Sequence, residues 1–394
     1  MMFSGCSKLT NFNANLSSLT NGSSMFVGCS SLTFFECGNL NSLISGGGMF
    51  DGCSNLTSFS YSLSSLVNGG YMFKNCSKLS NVNFNSLSLL IGGSYMFDGC
   101  SNLTTFEYRL PSLIDSNMMF NCCSNLTTFT SDLSSLTNGD SMFHQCSNLT
   151  DFNCGDMSSL TNGNQMFYNC NLTNFTSDLS SLTNGNQMFY ACSNLTNFTS
   201  DLSSLTNGHW MFNGCSNLTN FTSDLSSLTN GYYMFNNCKL NTESLLHIAE
   251  TIKDVRDLTN GSYSSAEIYK TIHIGIGNTT PTAEETELLT EIHNKGWQVY
   301  VGVNGGSSSE FTPTATTPID GEETTTPIPY WAKPQETDEE HAEYIGEDGK
   351  YYIILGGNYI FVDDKETYGL FTSLEDAAAN MRLTKIEKQE IEKA

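Results

Sequence analysis

Fourteen cysteines, six histidines and forty carboxylates are the groups in this 394-residue chain that could do chemistry, and their spacing denies most of it. His144, His209, His247, His273, His293 and His341 are scattered, none with a Cys or His partner at a metal-ligand spacing. Glu339-Glu340 and Asp363-Asp364 lack the alternating oxygens and central glycine of a calcium loop, so they read as solvated charge. Gly275-Ile276-Gly277 is a phosphate-loop fragment without its third glycine and reads as strand-end glycine. No Gly-x-Ser-x-Gly singles out a nucleophile among the many serines. The sequence predicts no catalytic residue, no metal, no cofactor, and a protein that is not an enzyme.

The cysteines carry a different message. Cys6, Cys29, Cys53, Cys76, Cys100, Cys123, Cys146, Cys170, Cys192, Cys215 and Cys238 recur in one slot of a repeat. Coils of a parallel solenoid stack ~4.8 Å apart with side chains pointing the same way, whereas a disulfide wants facing Cβ atoms ~3.8 Å apart. The spacing therefore predicts a column of buried free thiols and leaves the redox compartment undetermined.

Stepping outward from the cysteines, the dipeptide Met-Phe recurs from Met2 to Met234 in steps of 22 to 24 residues. The repeat from Cys192 predicts a short strand at Leu195–Thr199, a turn at Asn207-Gly208, and a helical turn that buries Met211, Phe212, Cys215 and Leu218. A single such coil cannot cover its Leu, Phe and Met, but ten stacked coils can. The fold class is a repeat solenoid over residues 1–238, with parallel short strands. Met-Phe-x-x-Cys-Ser-x-Leu-Thr-x-Phe at this step resembles the BspA-like leucine-rich-repeat surface proteins over residues 1 to about 240. The resemblance implies a non-catalytic surface or adhesion protein. The chain opens at Met1-Met2-Phe3 inside a repeat, without the capping unit such solenoids need, so a truncated N-terminus is one expectation.

Beyond the repeats, residues 239–303 predict a helix–strand–helix–strand cap. Thr242 can cap its first helix, and strands at Thr271–Ile276 and Trp297–Val303 flank a second helix from about Thr282 to Lys295. Residues 304–335 are a Gly/Ser/Thr/Pro linker. Residues 336–394 predict strands at Tyr344–Ile345, Lys350–Leu355 and Asn358–Val362, then a helix capped by Ser373, a module suited to homo-oligomerisation or attachment. This tail resembles C-terminal modules of structural proteins in gut tailed phages.

Only 14% of residues are charged and the net charge is −24, with no basic run, which argues against nucleic acid and anionic membrane as partners. No apolar run approaches the ~18 residues a membrane helix needs, and no secretory leader is visible. Asn-Leu-Thr and Asn-Phe-Thr match the glycosylation acceptor repeatedly, but they also sit in strand and turn slots of the repeat framework.

Ser-Asp-Leu-Ser-Ser-Leu-Thr-Asn-Gly is identical at 131–139, 177–185, 200–208 and 223–231, while the two residues on either side of Met-Phe vary. A helical turn would place those four slots outward. They hold Tyr168, Asn169, Asn186, Gln187, Tyr190, His209, Trp210, Asn213, Tyr232, Tyr233 and Asn236. Rigid aromatics among adaptable polar groups are the composition of a binding surface; drift at unconstrained exposed sites is the plainer explanation. The strand face, a monotonous array of residues such as Asn197 and Thr199, is the rival surface. The expectation is a recognition or adhesion protein for a host-surface protein or glycan, extracellular, on a cell surface or virion. The alternative is a structural virion component or rigid spacer.

Overall fold

The computed structural model describes residues 2–256, 270–306 and 308–313, and the backbone of four strands between 334 and 362. The described chain divides into two units, Met1–Thr312 and Pro313–Ala394.

In the first unit the repeats stack as parallel coils. Ten strands of two or three residues, β1 (Asn11–Asn13) through β10 (Asn220–Phe221), mark one side. Pairing is in register slot to slot: Asn197 faces Asn220, and Phe198 faces Phe221. A second parallel line, one bridge per coil, joins Asn21 to Ser45 and continues to Asn207 and Asn230. Strand residues alternate outward, inward, outward, so Phe198 is fully buried between exposed Asn197 and Thr199.

Two phenylalanine columns fill the core. The rings of Met-Phe stack coil on coil at 5.2 to 5.6 Å with planes within 12°. Strand rings meet them edge-on, as Phe198 does Phe212 at 4.8 Å and 67°. The thiols form a third column. Each buried ladder cysteine donates its S–H to the Met-Phe carbonyl of the coil before: Cys192 to Phe167 O at 3.0 Å, Cys215 to Phe189 O at 3.1 Å. The thiol thus satisfies a lone pair on a buried carbonyl. Burial pushes the Cys53 and Cys192 thiols up to about 12, so they stay protonated and inert. Every cysteine is free, but Cys6, in the first coil, is exposed; the expectation of burial fails there because no coil covers it.

The expected helical turn around Met-Phe is absent. Instead, hydrogen bonds three residues apart (Met188 N to Gly185 O, Cys192 N to Phe189 O, Leu195 N to Cys192 O) fold the segment as successive tight turns. The residue before Met is left-handed, as at Gln187 (φ 54°), Trp210 (φ 57°) and Tyr233 (φ 55°); so is the second after Phe, as at Asn169 (φ 56°) and Ala191 (φ 58°). A non-glycine residue there costs ~1–2 kcal/mol. The N–H it frees donates to the next coil, Trp210 N to Tyr232 O at 2.9 Å and Asn169 N to Tyr190 O at 2.7 Å, which offsets the strain. The glycine of Asn-Gly is not left-handed; its missing side chain makes room. A Cβ on Gly185 would sit 2.9 Å from Met211 Sδ of the next coil.

At the C-terminal end the last Met-Phe segment becomes a strand, β11 (Gly231–Leu240). It heads a sheet of order β11, β12 (Thr271–Ile276), β13 (Gln298–Val303) and β14 (Ser309–Glu310), the first three parallel. Strand β14 therefore carries the cap into the stretch read as linker. Helix α1 (Thr242–Thr251) closes the strand column: Ser244 Oγ accepts Phe221 N at 2.8 Å. Its N-cap is Asn241 rather than Thr242, because the Asn241 side chain reaches Ser244 N. Helix α2 (Ala283–Asn294) starts with a capping box of Thr282 and the fully buried Glu285.

The second unit holds an antiparallel sheet of β15 (Pro334–Asp338), β16 (Glu343–Gly346), β17 (Tyr351–Leu355) and β18 (Asn358–Val362). Strand β15 lies across the boundary expected between linker and module. The Ser373 helix, the 339–340 and 363–364 acidic pairs and His341 lie outside the described residues.

Candidate functional site

The turns around Met-Phe bring their flanks together. Tyr190 N donates to Gln187 O and Asn213 N to Trp210 O, each at 3.2 Å, so the slots before Met and after Phe share one edge of the coil. Adjacent coils then align these slots, and aromatic residues in them stack. His144 meets Tyr168 at 4.7 Å, Tyr168 meets Tyr190 at 4.6 Å, and Tyr190 meets Trp210 at 5.7 Å. The row crosses there from the slot after Phe to the slot before Met, then continues from Trp210 to Tyr233 at 5.0 Å. Four of the five Tyr and Trp residues expected there, Tyr168, Tyr190, Trp210 and Tyr233, thus form one row, stacked as far as Trp210 and tilted by 45° at Tyr233.

The cap extends the row. His273 of β12 stacks on Tyr233 at 3.9 Å, and Tyr300 of β13 on His273 at 4.5 Å. His273 is only 3% exposed; its Nδ1 lies 2.7 Å from Ser308 Oγ, and its Nε2 has no hydrogen-bond partner. Burial pulls its pKa down to about 4, so the ring is neutral in the stack. Neither His273 nor Tyr300 was legible as a site residue, since both lie outside the repeat and only the parallel pairing of β11 with β12 and of β12 with β13 aligns them. Burial also lowers the His144 pKa, against the pull of Asp140, and raises that of the Tyr168 hydroxyl.

The polar members of the set form ladders of their own. Asn186 Nδ2 donates to Asn164 Oδ1 at 2.7 Å, and Gln165 Nε2 to Gln187 Oε1 at 2.5 Å. His209 packs edge-on against Trp210 and tilts against Tyr232, whose ring in turn meets Tyr233 edge-on at 4.5 Å. Asn169 is exposed. The outward placement of Asn213 and Asn236 was wrong: they are 6% and 8% exposed, and Asn236 Nδ2 donates to Asn213 Oδ1 at 3.4 Å. A helical wheel turned them out, whereas the tight turn at Asn213 and strand β11 at Asn236 turn them inward, amide against amide. The remaining slots are half-buried rather than open, because each side chain is covered by its equivalents one coil away.

Among the described residues no group of three His, Cys, Asp or Glu side chains is placed to hold a metal ion, and no helix is long and apolar enough to cross a membrane.

The family description "BspA type Leucine rich repeat region" matches residues 1–104, 46–170 and 140–259, with six copies of its repeat. The chain belongs to the BspA-type leucine-rich-repeat family. The BspA-type region thus ends inside the cap and does not reach the second unit, where the phage-like resemblance lay. The crystal structure at 1.19 Å of a leucine-rich repeat protein from Bacteroides ovatus ATCC 8483 is similar over 69% of this chain and 80% of that one, at 17% identity and a TM-score of 0.21. No curated protein matches the chain.

Proposed function

We propose that this BspA-type protein is a non-enzymatic recognition or adhesion protein that presents its repeat edge to a protein or glycan outside the cell, on a cell surface or a virion. The observation that supports this is the seven-ring row from His144 to Tyr300. Mutual stacking immobilises the rings before any partner arrives, so ordering them costs a partner little. An amide ladder from Asn138 to Asn230 runs through the same coils, and it alone would serve a rod without a ligand. A second reading, a rigid structural spacer, draws on the same stack: the ring faces are spent on each other, leaving only edges and hydroxyls outward. The second unit would then serve attachment or self-association.

Replacing Tyr168, Tyr190 and Tyr233 together by Phe separates these readings, since it deletes hydroxyls and keeps the stack. Binding of the labelled protein to glycan arrays and immobilised extracellular-matrix proteins should drop while the melting temperature holds. Loss of binding instead in Asn197→Ser with Thr199→Ser would move the surface to the strand face. No binding by the parent protein would favour the spacer.

A further inference from the structure

Coils between Ile44 and Asp115 depart from the others at several slots at once. The slot that holds Thr137, Thr161, Thr183, Thr206 and Thr229 elsewhere holds Ile44, Val67, Ile91 and Ile114 here. Ile44, Ile91 and Ile114 are 45 to 50% exposed, a continuous apolar stripe on the surface. The amide ladder is broken by Ser45, Gly92 and Asp115, so Asn68 has no amide on either side. The slots before Met hold Gly47-Gly48 and Gly70-Tyr71.

The missing side chains open a groove of about 780 Å³ across these coils. Its floor is Gly47, Gly48 and Gly70, and one wall is Val67 and Ile91. Tyr71 stacks one face on Tyr95 at 4.6 Å, but the slot below its other face is Gly48, so that face is left uncovered. Asp51 and Asp115 line the groove, and no Lys, Arg or His does.

We propose that this groove binds an extended protein segment carrying an arginine or lysine beside an aliphatic side chain. The cation lies over the open face of Tyr71 next to Asp51, and the aliphatic group runs along Val67 and Ile91. The chain already builds this arrangement once from its own residues. The Lys74 ammonium lies 4.6 Å from the Tyr95 ring centre and 5.4 Å from that of Tyr71, paired with Asp98 at 3.0 Å. In the groove the ring is Tyr71, one coil before Tyr95, and the carboxylate is Asp51 of the coil before that, which Lys74 already attracts from its other side; the cation from outside would lie on the face of Tyr71 turned away from Tyr95. The repeat region is itself acidic, with 12 Asp and Glu against 5 Lys and Arg in residues 1–239, which favours the approach of basic segments. This site is separate from the row at His144 to Tyr300 and stands even if that row binds nothing.

The test is an array of twelve-residue synthetic peptides pairing Leu or Ile with Arg or Lys, a matched array with Gln or Glu replacing the base, and a glycan array, all probed with the full chain. The basic set alone should be retained, less so as salt rises. Gly47→Leu fills the groove, and its Cβ would meet nothing nearer than 3.6 Å, so the fold and melting temperature should hold. Retention should fall about tenfold in Gly47→Leu, Tyr71→Ala and Asp51→Asn, roughly the loss of one anchor, and stay unchanged in Tyr190→Ala. Equal retention of the Gln set, no retention of basic peptides, or basic binding indifferent to Gly47→Leu overturns the proposal. Glycan binding lost in Gly47→Leu, without peptide binding, would reassign the groove to sugars.

Discussion

The coils from Thr137 to Asn230 and those from Ile44 to Asp115 share one backbone and one core, yet their surfaces differ in kind. In the later coils the outward rows close on themselves. Thr161 Oγ1 donates to Thr137 O and Thr183 Oγ1 to Thr161 O, each at 3.1 Å; Asn184 Nδ2 donates to Asn162 Oδ1 at 2.9 Å; and the rings stack. In the earlier coils Ile, Val and Gly interrupt the same rows, and Asn68 and the open face of Tyr71 are left without equivalents to pair with. A closed row adds rigidity and has few polar groups to offer. An open row gives up those bonds and exposes chemistry to a partner.

The comparison rests first on the core being equal in the two regions. Phe59→Ala and Phe198→Ala should each cost ~3–5 kcal/mol by denaturant unfolding, since each leaves a cavity in the same column. A clear difference would mean that the surface contrast begins inside.

His273 ties the later coils to the cap. Its pKa is about 4 in the fold against 6.5 when free. Above pH 6.5 it is neutral in both states and its contribution is complete. As pH falls toward 4, the unfolded chain takes up a proton that the folded one cannot. The cap should lose about 3 kcal/mol over that window. Amide exchange of β12 should accelerate in acid, and His273→Phe, which keeps a ring in the stack, should remove that part of the pH dependence.

A smaller effect tests the ladders directly. Asn184→Ala removes a rung and the bond from Asn186 N to its Oδ1, and should cost ~1–2 kcal/mol. Asn68→Ala loses only the bond from Gly70 N and should stay within ~0.5 kcal/mol. Equal costs would mean the ladders add nothing beyond their local turns. Smallest of all, Ile91→Thr should fall within ~0.5 kcal/mol by thermal melting, since it trades exposed apolar surface for one exposed Thr bond. A larger loss would mark the apolar stripe as structural.

How much of this was readable beforehand varies by element. The period, the inward Phe, Met and Leu, the thiol column and the second cap helix near Thr282 followed from spacing alone. The Met-Phe turn did not, because inward residues at offsets 0, 1, 4 and 7 suit a helix and a run of three-residue turns alike. Tight turns place Asn213 beside Trp210 and buried, where a helix would turn it out. Left-handed Gln187, Trp210 and Tyr233 gave no warning either, as such residues are uncommon there without a glycine.

By itself the sequence determined that this chain stacks and which apolar residues fill its core, because periodic burial is written residue by residue. Only the tertiary structure decided which outward rows close and which stay open. A row joins residues 22 to 24 positions apart, and whether Tyr190 meets Trp210, or Tyr233 meets His273, depends on the turn that aims each side chain and on the alignment of one coil on the next.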